Sequence, residues 1–217
     1  GKLEMKYMTA KEEDILTNQN YLAKGIVLDK LLESLIVSKI NYNDLITGDK
    51  NALLIAARVL GYGKDYEFSY GGEVISVDLT TLNDKNLNPK DLAEEGINEF
   101  EFSLPSSKNT ITFKLLTHGD EKSIDRELQG LKKIRKDIIP EATTRLKYMI
   151  TSIDGDREKK TIREFVDTYL LARDARALRE EIRRVSPDVE LKYYGDDVEE
   201  AITIPVDLTF FWPDAQL

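Results

Sequence analysis

The spacing of apolar residues changes along the chain, and this change most constrains what the chain can fold into. Over residues 1–64 and again over 117–186, apolar side chains recur every three or four residues, as on one face of a helix. Over 65–116 and 187–217, apolar and polar residues alternate between Gly-rich and Asp-rich turns, as in strands. The pattern predicts a single α+β domain over 1–217. It has a helical N-terminal part, antiparallel β-hairpins, a helical middle region and a closing C-terminal β-hairpin.

The N-terminal part contains signals for three helices. Thr9 and Glu12 form a capping-box pattern, which predicts a helix that ends near Thr17. Leucines and an isoleucine at i, i+3 and i+4 spacing over 28–36 predict a second helix.

The third helix, over 49–60, is apolar nearly all round, which predicts a central buried helix ended by the Gly61-Tyr62-Gly63 run. The residues that we expect to be buried in it are Leu53, Ile55 and Leu60.

Two hairpins are predicted next. Residues 66–70 and 74–79 are rich in strand formers and flank Gly71-Gly72, which suits a tight turn. Residues 100–104 and 110–115 alternate across a polar turn, and the two pairs are candidates for one shared sheet.

Helical stripes then follow from Asp120, after Pro140, over 162–170 and over 178–185. The stripe after Pro140 predicts a helix that continues through Met149 and Ile150 to Ile153. Two last strands are expected near 189–194 and 201–210.

One short stretch occurs twice: Val77-Asp78-Leu79-Thr80 is repeated as Val206-Asp207-Leu208-Thr209, each time after a Tyr-Gly turn. Two explanations stay open, a duplicated hairpin and a chance match of common strand residues.

Composition excludes several functional classes. The chain has no cysteine, so disulfides, thiol catalysis and Cys-based zinc sites are excluded, and its single histidine leaves too few ligands for zinc. The net charge of −9 has the wrong sign for a broad phosphate-binding surface, so no nucleic-acid partner is expected. No apolar run is long enough for a membrane span. The chain begins at Gly1 without Met, and we expect that residues precede it.

The Tyr194-Gly195-Asp196-Asp197 run copies the metal-binding hairpin of RNA-dependent polymerases. Such chemistry needs further carboxylates and a basic template channel, so a plain hairpin turn is the preferred interpretation. Gly48-Asp49-Lys50 lacks the rest of a phosphate-binding loop and is interpreted as a helix start. Asp154-Gly155-Asp156 lacks the twelfth-position carboxylate of a calcium loop and is interpreted as a turn between helices, while His118 is interpreted as a loop residue.

Partner-binding candidates come from the C-terminal aromatic run, which consists of Phe210, Phe211, Trp212 and Pro213. Three consecutive aromatic side chains cannot all face one side of a strand, so they either close the chain's own core or contact another chain. The charged helix over 173–184 is a second candidate, with a solvated face as its alternative.

Several blocks together resemble the baseplate hub protein family of T-even-type contractile-tailed bacteriophages. The longest are Lys6 to Thr17, Val27 to Leu32 and Gly48 to Gly63, and the shorter ones are Leu115 to Lys122 and Phe210 to Pro213. Members of that family often carry Cys pairs in two β-hairpins, where this chain has Tyr70-Gly71-Gly72 and Tyr194-Gly195-Asp196-Asp197, so no zinc is implied here.

The resemblance implies a non-enzymatic structural or assembly component of the tail baseplate, without cofactors and without catalytic residues to transfer. Its partners would be other baseplate or tail proteins and further copies of itself. It would be located in the virion tail baseplate, and in the host cytoplasm during assembly. One alternative is a transient assembly chaperone that is absent from the mature virion. A remote alternative is a metal-dependent phosphoryl-transfer enzyme that uses Asp196 and Asp197.

Overall fold

A computed structural model describes residues 2–87, 97–134, 139–195 and 201–211, and the fold is α+β. The described helices are α1 (Ala10–Leu16), α2 (Gln19–Ala23), α3 (Val27–Leu35), α4 (Thr47–Tyr62), α5 (His118–Ile134), α6 (Glu141–Met149), α7 (Lys159–Glu164), α8 (Ala172–Val185) and α9 (Leu208–Phe211). The described strands are β1 (Asp65–Tyr70), β2 (Glu73–Asp78), β3 (Phe100–Ser103), β4 (Thr110–Phe113), β5 (Ile150–Ile153), β6 (Lys192–Tyr193) and β7 (Ile202–Thr203). Two 3-10 turns cover Tyr42–Asp44 and Leu79–Thr81, and a π-helical turn covers Phe165–Tyr169.

The chain divides into two compact units. Unit 1 comprises Gly1–Asn41, Gly48–Lys85 and Asp188–Leu217, and unit 2 comprises Tyr42–Thr47 and Asn86–Pro187. The expectation of one domain over 1–217 stays a prediction.

In unit 1, α1 begins with the predicted capping box between Thr9 and Glu12. The buried Glu12 carboxylate accepts hydrogen bonds from the Thr9 N–H at 2.9 Å, Lys6 Nζ at 2.8 Å and Ser34 Oγ at 3.1 Å. Burial raises the pKa of this carboxyl, but the hydrogen bonds from Lys6, Thr9 and Ser34 outweigh burial and hold the pKa at about 2. One side chain therefore ties the start of the chain to α1 and α3.

The hairpin β1–β2 confirms the prediction at Gly71-Gly72, where both glycines have positive φ (60° and 89°). α4 also ends as predicted, because Gly63 adopts a φ of 86° and its N–H bonds to the Val59 carbonyl at 3.1 Å.

Burial along α4 differs in part from the prediction. Leu53 and Ile55 are buried as expected, at 8% and 9% exposure. The prediction for Leu60 was wrong, since this side chain is 37% exposed. The helix buries only one side within the described part of unit 1 and leaves the other side open.

The C-terminal part of unit 1 contains a shorter strand than predicted. β6 and β7 pair antiparallel over two residues each, so a hairpin exists, but 201–210 is not one strand. The Asp207 carboxylate accepts hydrogen bonds from the Thr209 N–H at 2.8 Å and its hydroxyl at 2.6 Å, and α9 begins at the next residue, Leu208. Asp at this position favours a helix start over a continued strand.

The repeated sequence has the same local structure in both places. Asp78 accepts from the Thr80 N–H at 2.9 Å and from its hydroxyl, as Asp207 does from Thr209, and a short helical turn follows each aspartate. The shared feature is therefore an Asp-Leu-Thr turn. Duplication of the hairpin stays a prediction.

Unit 2 is built on an antiparallel sheet of order β3-β4-β5. Its hydrophobic core includes Leu104, Ile111, Phe113, Leu146, Ile150, Ile162, Phe165 and Leu178. The sheet thus packs against α6, α7, the π-helical turn and α8. The predicted helical stripes at 162–170 and 178–185 lie on the last three of these elements.

Two predictions about this sheet were wrong. Residues Ile150–Ile153 form β5 instead of continuing α6, because two isoleucines and a threonine favour a strand and the backbone of β4 is available to pair with it. The two predicted hairpins also do not share a sheet, since β1–β2 is two-stranded and the third strand beside β3–β4 is β5.

His118 is not a loop residue as predicted. It is the first residue of α5, it is buried, and its ring packs edge-on against Tyr42 with centroids 4.8 Å apart. Thr117 and Asp120 explain this early start, because the Asp120 carboxylate accepts from the Thr117 N–H at 3.1 Å and the Thr117 hydroxyl accepts from the Asp120 N–H at 3.3 Å.

The Asp154-Gly155-Asp156 run is a polar turn, as predicted, but it connects β5 to α7 and not two helices. Asp154 has a φ of 49°, and its carboxylate accepts from Asn109 Nδ2 at 2.7 Å and the Thr110 N–H at 2.8 Å. These hydrogen bonds join β5 to the start of β4, and they use both oxygens of the Asp154 carboxylate.

Candidate functional site

The aromatic C-terminal run is only partly described. Phe210 and Phe211 lie on α9 with no exposed surface, and the Phe210 ring packs edge-on against Tyr66 with centroids 4.7 Å apart. Their burial within this chain leaves them no surface with which to contact a partner, which corrects the prediction for these two residues. Trp212 and Pro213 lie outside the described residues, so their partner-binding role stays a prediction.

The described part of the chain contains the whole Gly48-Asp49-Lys50 motif but only part of the Tyr194-Gly195-Asp196-Asp197 motif. Gly48, Asp49 and Lys50 lie in the first turn of α4, as the helix-start interpretation predicted. Asp196 and Asp197 lie outside the described residues. Within the described ranges, no group of three or more His, Asp or Glu side chains is arranged to hold a metal ion.

Unit 2 has a polar cleft of about 440 Å³ that is lined by five cationic side chains, Lys114, Lys147, Arg157, Lys159 and Arg163. Four of these five have a carboxylate partner. The pairs are Lys114–Asp120 at 2.8 Å, Lys147–Asp167 at 2.7 Å, Arg157–Glu99 at 2.8 Å and Arg163–Glu127 at 2.6 Å. Because the charges are already compensated, this cleft is a poor candidate for an anion site.

The best candidate site is an apolar groove of about 410 Å³ on the open side of α4 in unit 1. The α4 side chains that line it have i, i+3, i+4, i+7 and i+8 spacing: Ala52 lies on its exposed rim, and Ile55, Ala56, Val59 and Leu60 form its floor. Its walls are formed by Leu79, Thr80, Leu82, Asp84 and Val189. We call this feature the α4 groove.

The small side chains in the floor determine the groove's shape. Ala52 and Ala56 lie one helical turn apart and leave space where longer side chains would fill it. Val59 and Leu60 continue the floor toward the C-terminal end of α4. The result is an apolar trough about two helical turns long, which is the surface that an amphipathic helix recognises in a helix-in-groove complex.

One wall of the groove is fixed to α4 by Asp188. Its Oδ1 accepts a hydrogen bond from Asn51 Nδ2 at 2.9 Å, and its carbonyl accepts from the Lys85 N–H at 2.8 Å. An isolated bridge between Asp84 and Val189 continues this contact. The wall therefore comes from two distant parts of the chain that are joined beside α4.

The C-terminal end of α4 is fixed by the buried Arg58. Its guanidinium donates to the Gly63 carbonyl at 3.0 Å and the Asp65 carbonyl at 3.2 Å, and it lies 5.3 Å from the centre of the Tyr62 ring. Burial lowers the pKa of Arg58, and the nearby Tyr66 and Tyr62 act in the opposite direction. Arg58 thus joins α4 to β1 and holds the groove floor in position.

The charge of the chain is concentrated in the unit that carries the groove. Unit 1 contains 11 Lys and Arg against 20 Asp and Glu, whereas unit 2 contains 20 of each. The whole net charge of −9 therefore belongs to unit 1. Asp84 lies in the groove wall, so a ligand with a positive charge beside its apolar face suits this site.

Sequence reasoning missed the groove although its signal was present. A helix that is apolar all round was interpreted as fully buried, which is the usual meaning of such a pattern. The alanines at positions 52 and 56 were a sign that one side of α4 is shallow and suited to close approach by another helix. The second candidate, 173–184, does form a helix whose arginines are exposed.

None of the described helices is long and apolar enough to cross a membrane. Comparison of the chain with protein-family models, with curated proteins and with solved structures gives no match.

Proposed function

We propose that the chain is a non-enzymatic structural component of a contractile phage tail baseplate and binds another baseplate subunit through the α4 groove. The observation that carries the proposal is the open apolar side of α4. Apolar grooves of this kind, rimmed by polar residues, typically mark sites of protein contact.

Burial of the exposed groove residues would stabilise a complex with the partner. A Val, Ile or Leu side chain stabilises a complex by about 1.5–3 kcal/mol when it passes from full exposure to full burial. Ile55 is already buried within this chain, so the gain would come mainly from Leu60, which is 37% exposed, and from Ala52, which lies open on the groove rim. A partner that covers the groove floor would bury the apolar side chains of α4 that this chain leaves exposed.

The resemblance to baseplate hub proteins supports the choice of partner. The long block from Gly48 to Gly63 that carries much of this resemblance is α4 itself, together with its glycine cap. The groove therefore lies on one of the blocks that carry the resemblance.

The occupant of the groove is an amphipathic helix from another tail subunit, with an apolar stripe and basic flanking residues. The apolar stripe matches the i, i+3, i+4, i+7 and i+8 spacing of the floor. The basic flanks match Asp84 in the wall and the net charge of unit 1.

The test replaces Ala56 by Arg, which places a long charged side chain on the groove floor. Ala23→Arg is the matched control, because Ala23 is an exposed helical alanine of unit 1 outside the groove. We expect both variants to remain folded by circular dichroism. In a complementation assay, Ala23→Arg enters purified particles and Ala56→Arg does not. Equal incorporation of both folded variants would contradict the proposal.

The same preparation separates the proposal from the transient chaperone. Mass spectrometry of purified wild-type particles should detect the chain in the virion if it is a structural component. Its absence from particles, combined with loss of particle assembly in the Ala56→Arg strain, would favour the chaperone.

A further inference from the structure

α8 exposes a row of arginines on the side opposite its buried face. Arg173, Arg176, Arg179 and Arg183 are all exposed and lie on one side of the helix. The other side of the helix is buried, and its residues are Asp174, Ala175, Leu178 and Val185. We call the exposed row the arginine face.

The one acidic residue in the first two turns of α8 is withdrawn from this surface. Asp174 is fully buried, and its carboxylate accepts hydrogen bonds from the Ser106 N–H at 2.7 Å and the Ser107 N–H at 2.9 Å. These bonds hold the β3–β4 turn against the start of α8. The exposed Lys108, next along that turn, adds another positive charge beside the arginine face.

The positive charge of three of the four arginines in the arginine face is weakly compensated or uncompensated. Arg176 pairs with Glu180 at 2.9 Å, but their side chains are 78% and 57% exposed, and such pairs contribute little. Within the described part of the chain, Arg173 and Arg179 form no ion pair.

Exposed apolar residues directly precede the arginine face. Tyr169, in the π-helical turn, is 59% exposed, and Leu171 is 51% exposed. A surface that combines Tyr, Leu and Arg has the composition of a protein interface, where Tyr and Arg are the preferred anchors. A phosphate backbone would have no use for the apolar residues, so an acidic protein surface fits better.

Unit 1 presents a surface of complementary composition. Asp65 and Glu67 lie on the outer face of the β1–β2 hairpin, opposite the buried Tyr66 and Phe68, and Asp78 on the same face is paired with Lys64. Val74, which pairs with Ser69, adds an apolar side chain that is 70% exposed to the same face.

The two surfaces also match in length. The arginine face spans about 15 Å from Arg173 to Arg183 at 1.5 Å per helical residue. The outer face of the hairpin spans about 13 Å from Asp65 to Ser69 at about 3.3 Å per strand residue.

We propose that the arginine face of α8 in one copy of the chain docks on the outer face of the β1–β2 hairpin in a second copy. The contact joins two different surfaces, so each copy can take part in two such contacts. It uses a surface other than the α4 groove, and it stands or fails independently of the proposed function.

Sedimentation velocity of the purified chain tests the proposal. We expect concentration-dependent association in 50 mM NaCl, with a Kd that is weakened at least about tenfold in 500 mM NaCl, because exposed charge pairs are screened. The variants Arg173→Glu with Arg179→Glu, and Asp65→Lys with Glu67→Lys, should each sediment as monomers. If a charge reversal impairs folding, Arg173→Gln with Arg179→Gln, or Asp65→Asn with Glu67→Gln, replaces it and should weaken association in the same direction.

Mixing the two reversed variants gives the decisive result. The intact arginine face of one variant pairs with the intact hairpin of the other, and the reversed arginine face is complementary in charge to the reversed hairpin, so a 1:1 mixture should recover the association that each variant alone lacks. A wild-type chain that stays monomeric at every concentration, or variants that associate as wild type does, would overturn the proposal. So would a 20-base-pair DNA duplex binding the arginine face of a monomeric wild-type chain.

Discussion

Replacement of Glu12 by Gln should destabilise unit 1 strongly, although the side chain keeps its size. The Glu12 carboxylate accepts charge-assisted or polar hydrogen bonds from Lys6, Thr9 and Ser34, and the Gln amide would place donor against donor at one of these contacts. The pKa of Glu12 is held at about 2, against an ordinary value of 4.5. At about 1.4 kcal/mol per pKa unit, the charged form contributes about 3 kcal/mol to stability at neutral pH.

The pH dependence has a definite sign. Because the folded-state pKa of Glu12 is depressed, its contribution is complete above about pH 4.5 and is lost as the pH falls toward about 2. The measurement is urea unfolding of the wild type and of Glu12→Gln at pH 7 and at pH 3. The difference between the two should be about 2–3 kcal/mol at pH 7 and clearly smaller at pH 3.

Asp14→Asn is the matched control, since Asp14 is an exposed carboxylate on the same helix. It should change the free energy of unfolding by less than about 0.5 kcal/mol. The reasoning is refuted if Glu12→Gln costs no more than this control, or if its cost is the same at both pH values.

Three further predictions concern the α4 region and metal content. Leu53→Ala should lower the free energy of unfolding by about 2–5 kcal/mol and Leu60→Ala by less than about 1 kcal/mol, because only Leu53 is buried. Chemical denaturation measures both losses, and similar values for the two variants would contradict the burial pattern. Gly63→Ala should cost about 1 kcal/mol in a thermal melt, since Gly63 has a φ of 86°, and an unchanged melt would exclude this cap. Elemental analysis should find no stoichiometric zinc.

The parts of the fold that could be predicted depend on local chemistry. The capping box at Thr9 and Glu12 and the turn at Gly71-Gly72 are each formed by residues a few positions apart, so the sequence alone indicates them. Such signals do not depend on which distant segments of the chain pack beside them.

The errors fall where the partner of a segment is distant in sequence. Residues Ile150–Ile153 continue a helical stripe, but they pair with β4, nearly forty positions earlier. A short apolar run is compatible with helix and strand, and the available neighbour decides. At the C-terminus, the Asp207 cap was overlooked because the flanking residues favour strands.

The candidate site could be predicted least. All-round apolarity of α4 shows that both sides of the helix favour burial, but it does not show whether the chain itself or another protein covers each side. Only the structure shows that Leu53 faces the interior and that Ala52 lies on the open groove rim.

The central claim is that another subunit covers the α4 groove in the assembled tail. A photo-cross-linking amino acid at Ala52, on the groove rim, tests this directly in purified particles, with the same group at the exposed Ala23 as the control. The account predicts a cross-link from position 52 to a different tail protein, at an apolar helical segment with basic flanks, and no such product from position 23. Particles that contain the labelled chain but give no cross-link from position 52 would contradict it.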